Sequence, residues 1–206
     1  MDIENEIEVQ VKKLTPNEVE EAVNVLGKAF ENDALFKAML SNKDELLEFL
    51  RISLNYYNRV GEIHLAKNDG NIVGVAVWNP KGTSIISVSN LFKYGQAVET
   101  ILCLFKFRLN SLFKIKMEYA ITESRRYKGE HNYLYLIGSV KKGAGSKLLQ
   151  FACKRFTNAP IYLEDSCQRL NSRFYEKFGF TSIGSVKVFG VEEDLLKRDA
   201  TYKDSV

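Results

Sequence analysis

Gly143-Ala144-Gly145-Ser146 is the stretch of this sequence best suited to hold a phosphorylated ligand. It stands a few residues after Tyr133–Ile137, an aromatic and β-branched run that reads as a buried strand. It also opens a segment in which Leu148, Leu149, Ala152, Cys153 and Phe156 recur at helical spacing. A strand, a glycine turn and a helix, in that order, present free backbone N–H groups at a helix N-terminus. That end carries roughly half a positive charge, and glycine lets phosphate oxygens approach the backbone. Taken alone, the same pattern also serves as a plain N-cap and tight turn. Two nucleotide-loop readings fail. A G-x-G-x-x-G fingerprint needs a third glycine where Leu148 stands, and a G-x-x-x-x-G-K-[ST] loop needs glycine before Lys147, where Ser146 stands.

A second motif lies downstream. Pro160–Glu164 reads as a short buried strand, and Asn171 to Phe178 as a short helix stopped by Gly179. Together the two stretches form G-x-G-x-x-L-L (Gly143 to Leu149), then Y-L-E-x-S (Tyr162 to Ser166) and N-x-x-F-Y-E-K-x-G-F (Asn171 to Phe180). In order and distance this pair resembles the acetyl-CoA core of the GCN5-related N-acetyltransferase (GNAT) superfamily. The arm Gly70–Gly82 is similar to acetyltransferases of the puromycin-acetyltransferase-like type. The resemblance implies an α+β fold, an α/β/α sandwich whose mixed, mostly antiparallel central sheet is flanked by helices. It implies acetyl-CoA as cosubstrate, no metal, and direct attack by an amine in a ternary complex, so Cys167 is not needed as an acyl carrier.

The same resemblance assigns roles. Backbone groups around Ile137, Gly138 and Ser139 are expected to meet the pantetheine, and Lys142, Gly143, Ala144, Gly145 and Ser146 the pyrophosphate. Asn171 matches an asparagine whose amide bonds the pantetheine arm, though it also suits a helix cap. Phe174 is expected beside the coenzyme. Tyr175 matches a tyrosine that faces the coenzyme sulfur and protonates the departing thiolate, a role open to a positioned phenol; a core aromatic with a satisfied hydroxyl is the other role open to it. Glu164 ends a strand, where it would orient the ammonium or act as base; a structurally paired carboxylate fits equally well. One departure stands out. Val140 occupies the place of the usual Gln or Arg, and the loop from Gly138 to Gly143 is about four residues tighter than the superfamily pattern. Lys141 and Lys142 offset this only modestly, because exposed lysines are screened. Coenzyme binding weaker than an intact loop would give, with activity retained, is expected.

The whole chain sets the bounds. Its 206 residues are read as a single domain, 1–206. With 45% hydrophobic and 27% charged residues the composition is globular, and a net charge of +3 is too small to argue for nucleic acid. Cys103, Cys153 and Cys167 form no metal or disulfide pattern, and His64 and His131 are far apart. The acidic start and the lack of a long apolar run predict a reduced, soluble protein of the cytoplasm, without a membrane partner. A homodimer is compatible with all of this.

In chain order, Ile7, Val9 and Val11 alternate as a half-exposed strand, and Thr15-Pro16-Asn17-Glu18 carries a capping box and an N1 proline for a first helix. Asn32-Asp33 breaks that helix, Ala34–Leu40 adds a turn or two, and a third helix runs from about Asp44 to Tyr57. Glu62–Ala66 and Ile72–Trp78 form a hairpin on Asp69-Gly70. Residues 85–127 follow helical spacing and read as an insertion between the third and fourth strands, packed on the sheet over the acceptor site; an amphipathic membrane-surface helix is the competing reading. Ser124–Glu130 reads as a mobile polar link, the extended segment with Ile183, Val186, Val188 and Val191 as one or two closing strands, and the residues beyond Glu193 as a frayed polar tail. Two functions follow: acetyl transfer to a primary amine of a small molecule, or a catalytically silent acyl-CoA-binding or regulatory module of the same fold. No residue pattern identifies the amine.

Overall fold

The capping box forms as its spacing requires. Thr15 Oγ1 accepts from the Glu18 N–H at 3.4 Å, Glu18 Oε2 accepts from the Thr15 N–H at 3.2 Å, and Pro16 opens α1 (Pro16–Ala29). The computed structural model describes residues 6–83, 85–93, 101, 105–166 and 173–200. Asp33 caps α2 (Ala34–Met39) by accepting from the Phe36 N–H at 2.9 Å, and Asn42 caps α3 (Lys43–Val60) in the same way through Glu45. Strand β1 (Glu8–Val11) pairs with β2 (Glu62–Asn68), and β2 with β3 (Asn71–Asn79) across Asp69-Gly70, both at positive φ.

Helices α4 (Val88–Lys93) and α5 (Leu109–Arg125) lie between β3 and β4 (Asn132–Ser139). There follow α6 (Ala144–Arg155), β5 (Ile161–Asp165), a helical turn over 173–176, β6 (Thr181–Val188) and β7 (Val191–Arg198). The sheet order is β1-β2-β3-β4-β5-β7-β6, antiparallel at every pairing except β4 with β5. Helices α1 and α3 cover one face through Leu26, Leu50, Leu54 and Tyr57; α6 covers the other through Leu148, Leu149 and Ala152. This is the expected layered α+β sheet. Gly138 lets α1 sit against β4, since a Cβ there would lie 2.8 Å from Ala29 Cβ and 3.0 Å from Leu26 Cδ2.

Three expectations need correction. The supposed frayed tail beyond Glu193 is the continuation of β7, which runs to Arg198 between β5 and β6, with Leu195 and Leu196 buried. Its acids masked the strand, yet Phe189 and Gly190, both at positive φ, make the turn that returns the chain. The supposed mobile link contains Arg126, only 7% exposed, and Tyr127 packed on Tyr162. In α5 the apolar periodicity is real but partly outward: Leu109 is 85% and Phe113 61% exposed, whereas Ser111 and Thr122 are buried. Phe92's side chain, Ala97, Val98, Leu102, Cys103 and Cys167 lie outside the described residues.

Candidate active site

The sheet opens between β4 and β5. These parallel strands pair only at Asn132 with Ile161 and Tyr133 with Tyr162. Beyond that point β5 follows β7 as far as Asp165, while β4 follows β3 as far as Ser139. A bulge drives the divergence: Val77 pairs with Leu136 and Trp78 with Leu134, so Tyr135 is an extra residue that bends β4. From Leu134 to Ser139 the inner edge of β4 has no strand partner among the described residues. Such an edge offers N–H and C=O groups to an extended ligand.

A helix N-terminus sits at the far end of that edge. The Val140 N–H bonds to Val73 O at 2.9 Å, and the Ala144 N–H turns back to Lys141 O at 3.2 Å. Gly143 caps α6 at φ 88°, a conformation that glycine adopts without strain. The first α-helical bond runs from the Lys147 N–H to Gly143 O, which leaves the N–H groups of Gly145 and Ser146 without an intrahelical acceptor. A Cβ on Gly145 would lie 3.5 Å from Ser139 Oγ and 3.8 Å from Phe174 Cζ, so Ser139, Gly145 and Phe174 converge. Lys141 is held by Asn68 Oδ1, while Lys142 and Ser146 are exposed and Ala144 is buried. At Gly138 the side-chain position is taken up by α1. Asn171 lies outside the described residues.

Where the strands part there is a cavity of about 150 Å³. Tyr133, Tyr135 and Ile137 line it from β4, Glu164 and Asp165 from β5, Glu118 from α5 and Glu193 from β7, with an apolar wall of Phe36, Met39 and Phe49. Tyr175 lines it too; its ring is 5% exposed and sits edge-on to Phe174 and Phe180, which fixes its position.

Both oxygens of Glu164 are engaged. Arg126 Nε donates to Oε1 at 3.1 Å, and the Tyr133 hydroxyl donates to Oε2. Arg126 also donates to Glu123 at 2.7 Å, and its guanidinium lies 4.6 Å from the centre of the Tyr133 ring. Burial opposes the charge on Arg126, but attraction to Tyr133 and Glu164 outweighs it and raises its pKa. Burial, and then the negative Glu164, push the Tyr133 phenol well above its usual range. Burial raises Glu118 to about 7 against a 3.1 Å hydrogen bond from Thr122 Oγ1. Glu193 goes to about 8, first through burial and then through Glu118, Glu164, Asp33 and Asp165. Its Oε2 is buried with no hydrogen-bond partner.

Thus Glu164, Tyr175 and Ile137 meet at the cavity, and Ser139, Gly145 and Phe174 at the helix end. Glu118, Arg126 and Glu193 escaped the sequence reading. Arg126 stood in the stretch taken for a mobile link and Glu193 at the edge of the one taken for a tail, and neither has a local motif.

A parted sheet, a free strand edge and a helix N-terminus beside an acid-lined cavity define a fold suited to an extended, phosphorylated ligand and a small second one. No family model matches the chain, and no curated protein matches it in sequence. Solved structures do. The chain is similar in fold to a histone acetyltransferase HPA2 and related acetyltransferase from Corynebacterium glutamicum, at TM-score 0.65 and 22% identity over 96% of this chain and 99% of that one. An N-acetyltransferase from Staphylococcus aureus aligns at 0.60 and 16% over 91% and 99%. A GNAT-family acetyltransferase from Streptococcus agalactiae aligns at 0.56 and 11% over 94% and 96%. The chain has the fold of the GNAT acetyltransferases.

Proposed function

We propose that this protein is an acetyl-CoA-dependent N-acetyltransferase that acts on a primary amine of a small molecule by direct attack in a ternary complex. One observation carries the reading: the opening of the sheet joins the free edge of β4 and the α6 N-terminus to a cavity lined by carboxylates and Tyr175. The residues fit the coenzyme. The edge from Leu134 to Ser139 suits the amides of pantetheine, and the N–H groups of Gly145 and Ser146, with Lys142 nearby, suit a pyrophosphate. Asn171 and Phe174 complete the expected contacts. The puromycin-acetyltransferase-like subtype rests on the β3 stretch alone.

Acetyl-CoA supplies an activated acetyl group, whose carbon bonds to the amine nitrogen as its bond to sulfur breaks. Tyr175 gives its phenolic proton to the departing sulfur and recovers one from solvent. Glu164, fixed by Arg126 and Tyr133, orients the incoming ammonium. Glu118, its carboxyl raised to about 7, suits the base that accepts the ammonium proton before attack. One proton is released to solvent per turnover, alongside the amide and the free thiol.

The test is thiol release from acetyl-CoA over a panel of small amines, with Tyr175→Phe as control. Release that depends on both amine and Tyr175 supports the reading. The tight turn favours a second one: the Ala144 N–H is spent on Lys141 O, which leaves few donors for a pyrophosphate. A coenzyme that raises the melting temperature but releases no thiol with any amine would establish the silent acyl-CoA-binding module instead.

A further inference from the structure

Glu193 is a buried carboxyl in the cavity wall whose hydrogen bonding is incomplete. It is 2% exposed, its Oε2 has no hydrogen-bond partner, and it lines the same space as Glu164 and Tyr175. A buried carboxyl oxygen without a donor is costly, and folds that keep such a group do so chiefly at functional sites. Its surroundings sharpen the point. Five acids line the cavity (Asp33, Glu118, Glu164, Asp165 and Glu193), and no Lys, Arg or His is among the described lining residues. Arg126 pairs with Glu164 and Glu123 and makes no hydrogen bond to Glu193, and Asp33 is occupied by the Phe36 N–H and the Ser166 hydroxyl. Among the described residues no three of these acids converge to hold a metal ion. The missing complement is therefore positive charge spread along a chain and carrying hydrogen-bond donors.

Register gives the length. Glu164 faces Leu195 across the β5–β7 ladder, and Glu193 is two residues from Leu195 on the same face. The backbones of diagonal neighbours of this kind sit roughly 7–8 Å apart, close enough for their two carboxyls to reach opposite ends of one short aliphatic diamine. The rings of Tyr133 and Tyr135, on β4 at the other side of Glu164, line the same cavity and offer faces suited to methylenes and to cations.

We infer that the acceptor is a short amine with a second cationic group, an ammonium or guanidinium, and that Glu193 binds this second cation while the first amine reacts near Glu164 and Tyr175. The inference rests on the acetyl-transfer reading for which nitrogen reacts, but the binding of a doubly charged amine stands apart from it.

Two assays on the full-length protein separate the possibilities. The first measures thiol release from acetyl-CoA with the length-matched pair butylamine and putrescine, in wild type, Glu193→Gln and the charge-retaining Glu193→Asp. Putrescine should exceed butylamine in kcat/KM by roughly 10- to 100-fold, as expected for hydrogen bonds to a charged group. The ratio should collapse toward one in Glu193→Gln, mainly through KM, and be partly kept in Glu193→Asp. Equal use of the two amines by wild type would overturn the inference while leaving acetyl transfer standing, and so would an equal loss for both in Glu193→Gln. The second assay is calorimetric binding of putrescine in the presence of coenzyme A. If no amine releases thiol, putrescine binding that Glu193→Gln weakens at least tenfold supports the inference while the acetyl-transfer reading falls. No putrescine binding at millimolar concentration overturns it. Circular dichroism melts of each variant confirm folding.

Discussion

Glu193→Gln should change how stability depends on pH, and the size of the change follows from where the carboxyl sits. In the folded chain it titrates at about 8, raised mainly by burial and then by Glu118 and Glu164; its ordinary value is 4.5. Below pH 4.5 it is protonated in both states and contributes no pH-dependent term. As pH rises the unfolded chain loses this proton while the folded chain keeps it, so stability falls with pH until the folded group also ionises near pH 8. Each pH unit in that window corresponds to about 1.4 kcal/mol, so the loss between pH 4.5 and 7 is about 3 kcal/mol. Glutamine removes this slope. It adds a desolvation cost of its own, but that cost is the same at every pH and drops out of a difference. Melting wild type and variant at pH 4.5 and 7 by circular dichroism, without ligand, should show the variant gaining roughly 6–12 °C on wild type between the two pH values. Parallel curves would refute the reasoning, because they would mean that Glu193 ionises as freely in the fold as in the unfolded chain.

Arg126→Ala should lower stability by about 3–5 kcal/mol, because it strips Glu164 of its cation in a largely buried site; denaturant unfolding measures this, and adding Glu164→Gln should recover much of the loss. Gly143→Ala should cost roughly 1 kcal/mol, since alanine resists φ 88° although no neighbour blocks a Cβ there, and it should weaken the thermal shift given by acetyl-CoA. Tyr175→Phe should lower kcat for thiol release about 100-fold at unchanged coenzyme affinity, as read in single-turnover and melting assays.

The turn and helix start proposed to hold the coenzyme are far more legible in the sequence than the cavity proposed for the amine, and the reason is physical. A phosphate cradle needs a strand, a turn that accepts positive φ and a helix start, all consecutive in the chain. Gly143 to Leu149 spells this out, and the fold places Ser139, Gly145 and Phe174 together. The same holds for the capped helices: Thr15, Asp33 and Asn42 each accept from a backbone N–H three residues on. By contrast, Glu118, Arg126, Glu164 and Glu193 come from α5, the segment after it, β5 and β7, and meet only because β7 inserts between β5 and β6. Nothing within a few residues of Glu193 marks it as buried. The strand pattern there, Val191-Glu192-Glu193-Asp194-Leu195-Leu196, reads as solvated until pairing on both sides is known.

The charges of the acceptor side link stability to selectivity. Burial of Glu193 among like charges makes the empty cavity unfavourable to the fold as pH rises, and that same shortage of donors is what a cationic ligand would relieve. The two effects therefore share one cause and must change together. A substitution that stabilises the folded chain at neutral pH by removing the carboxyl should erase the preference for a second cation. One that keeps the carboxyl but shortens its reach, Glu193→Asp, should retain part of both the pH slope and the preference. If stability and preference responded independently across Glu193→Gln and Glu193→Asp, the carboxyl would be an internal strain of the sheet with no part in choosing the amine.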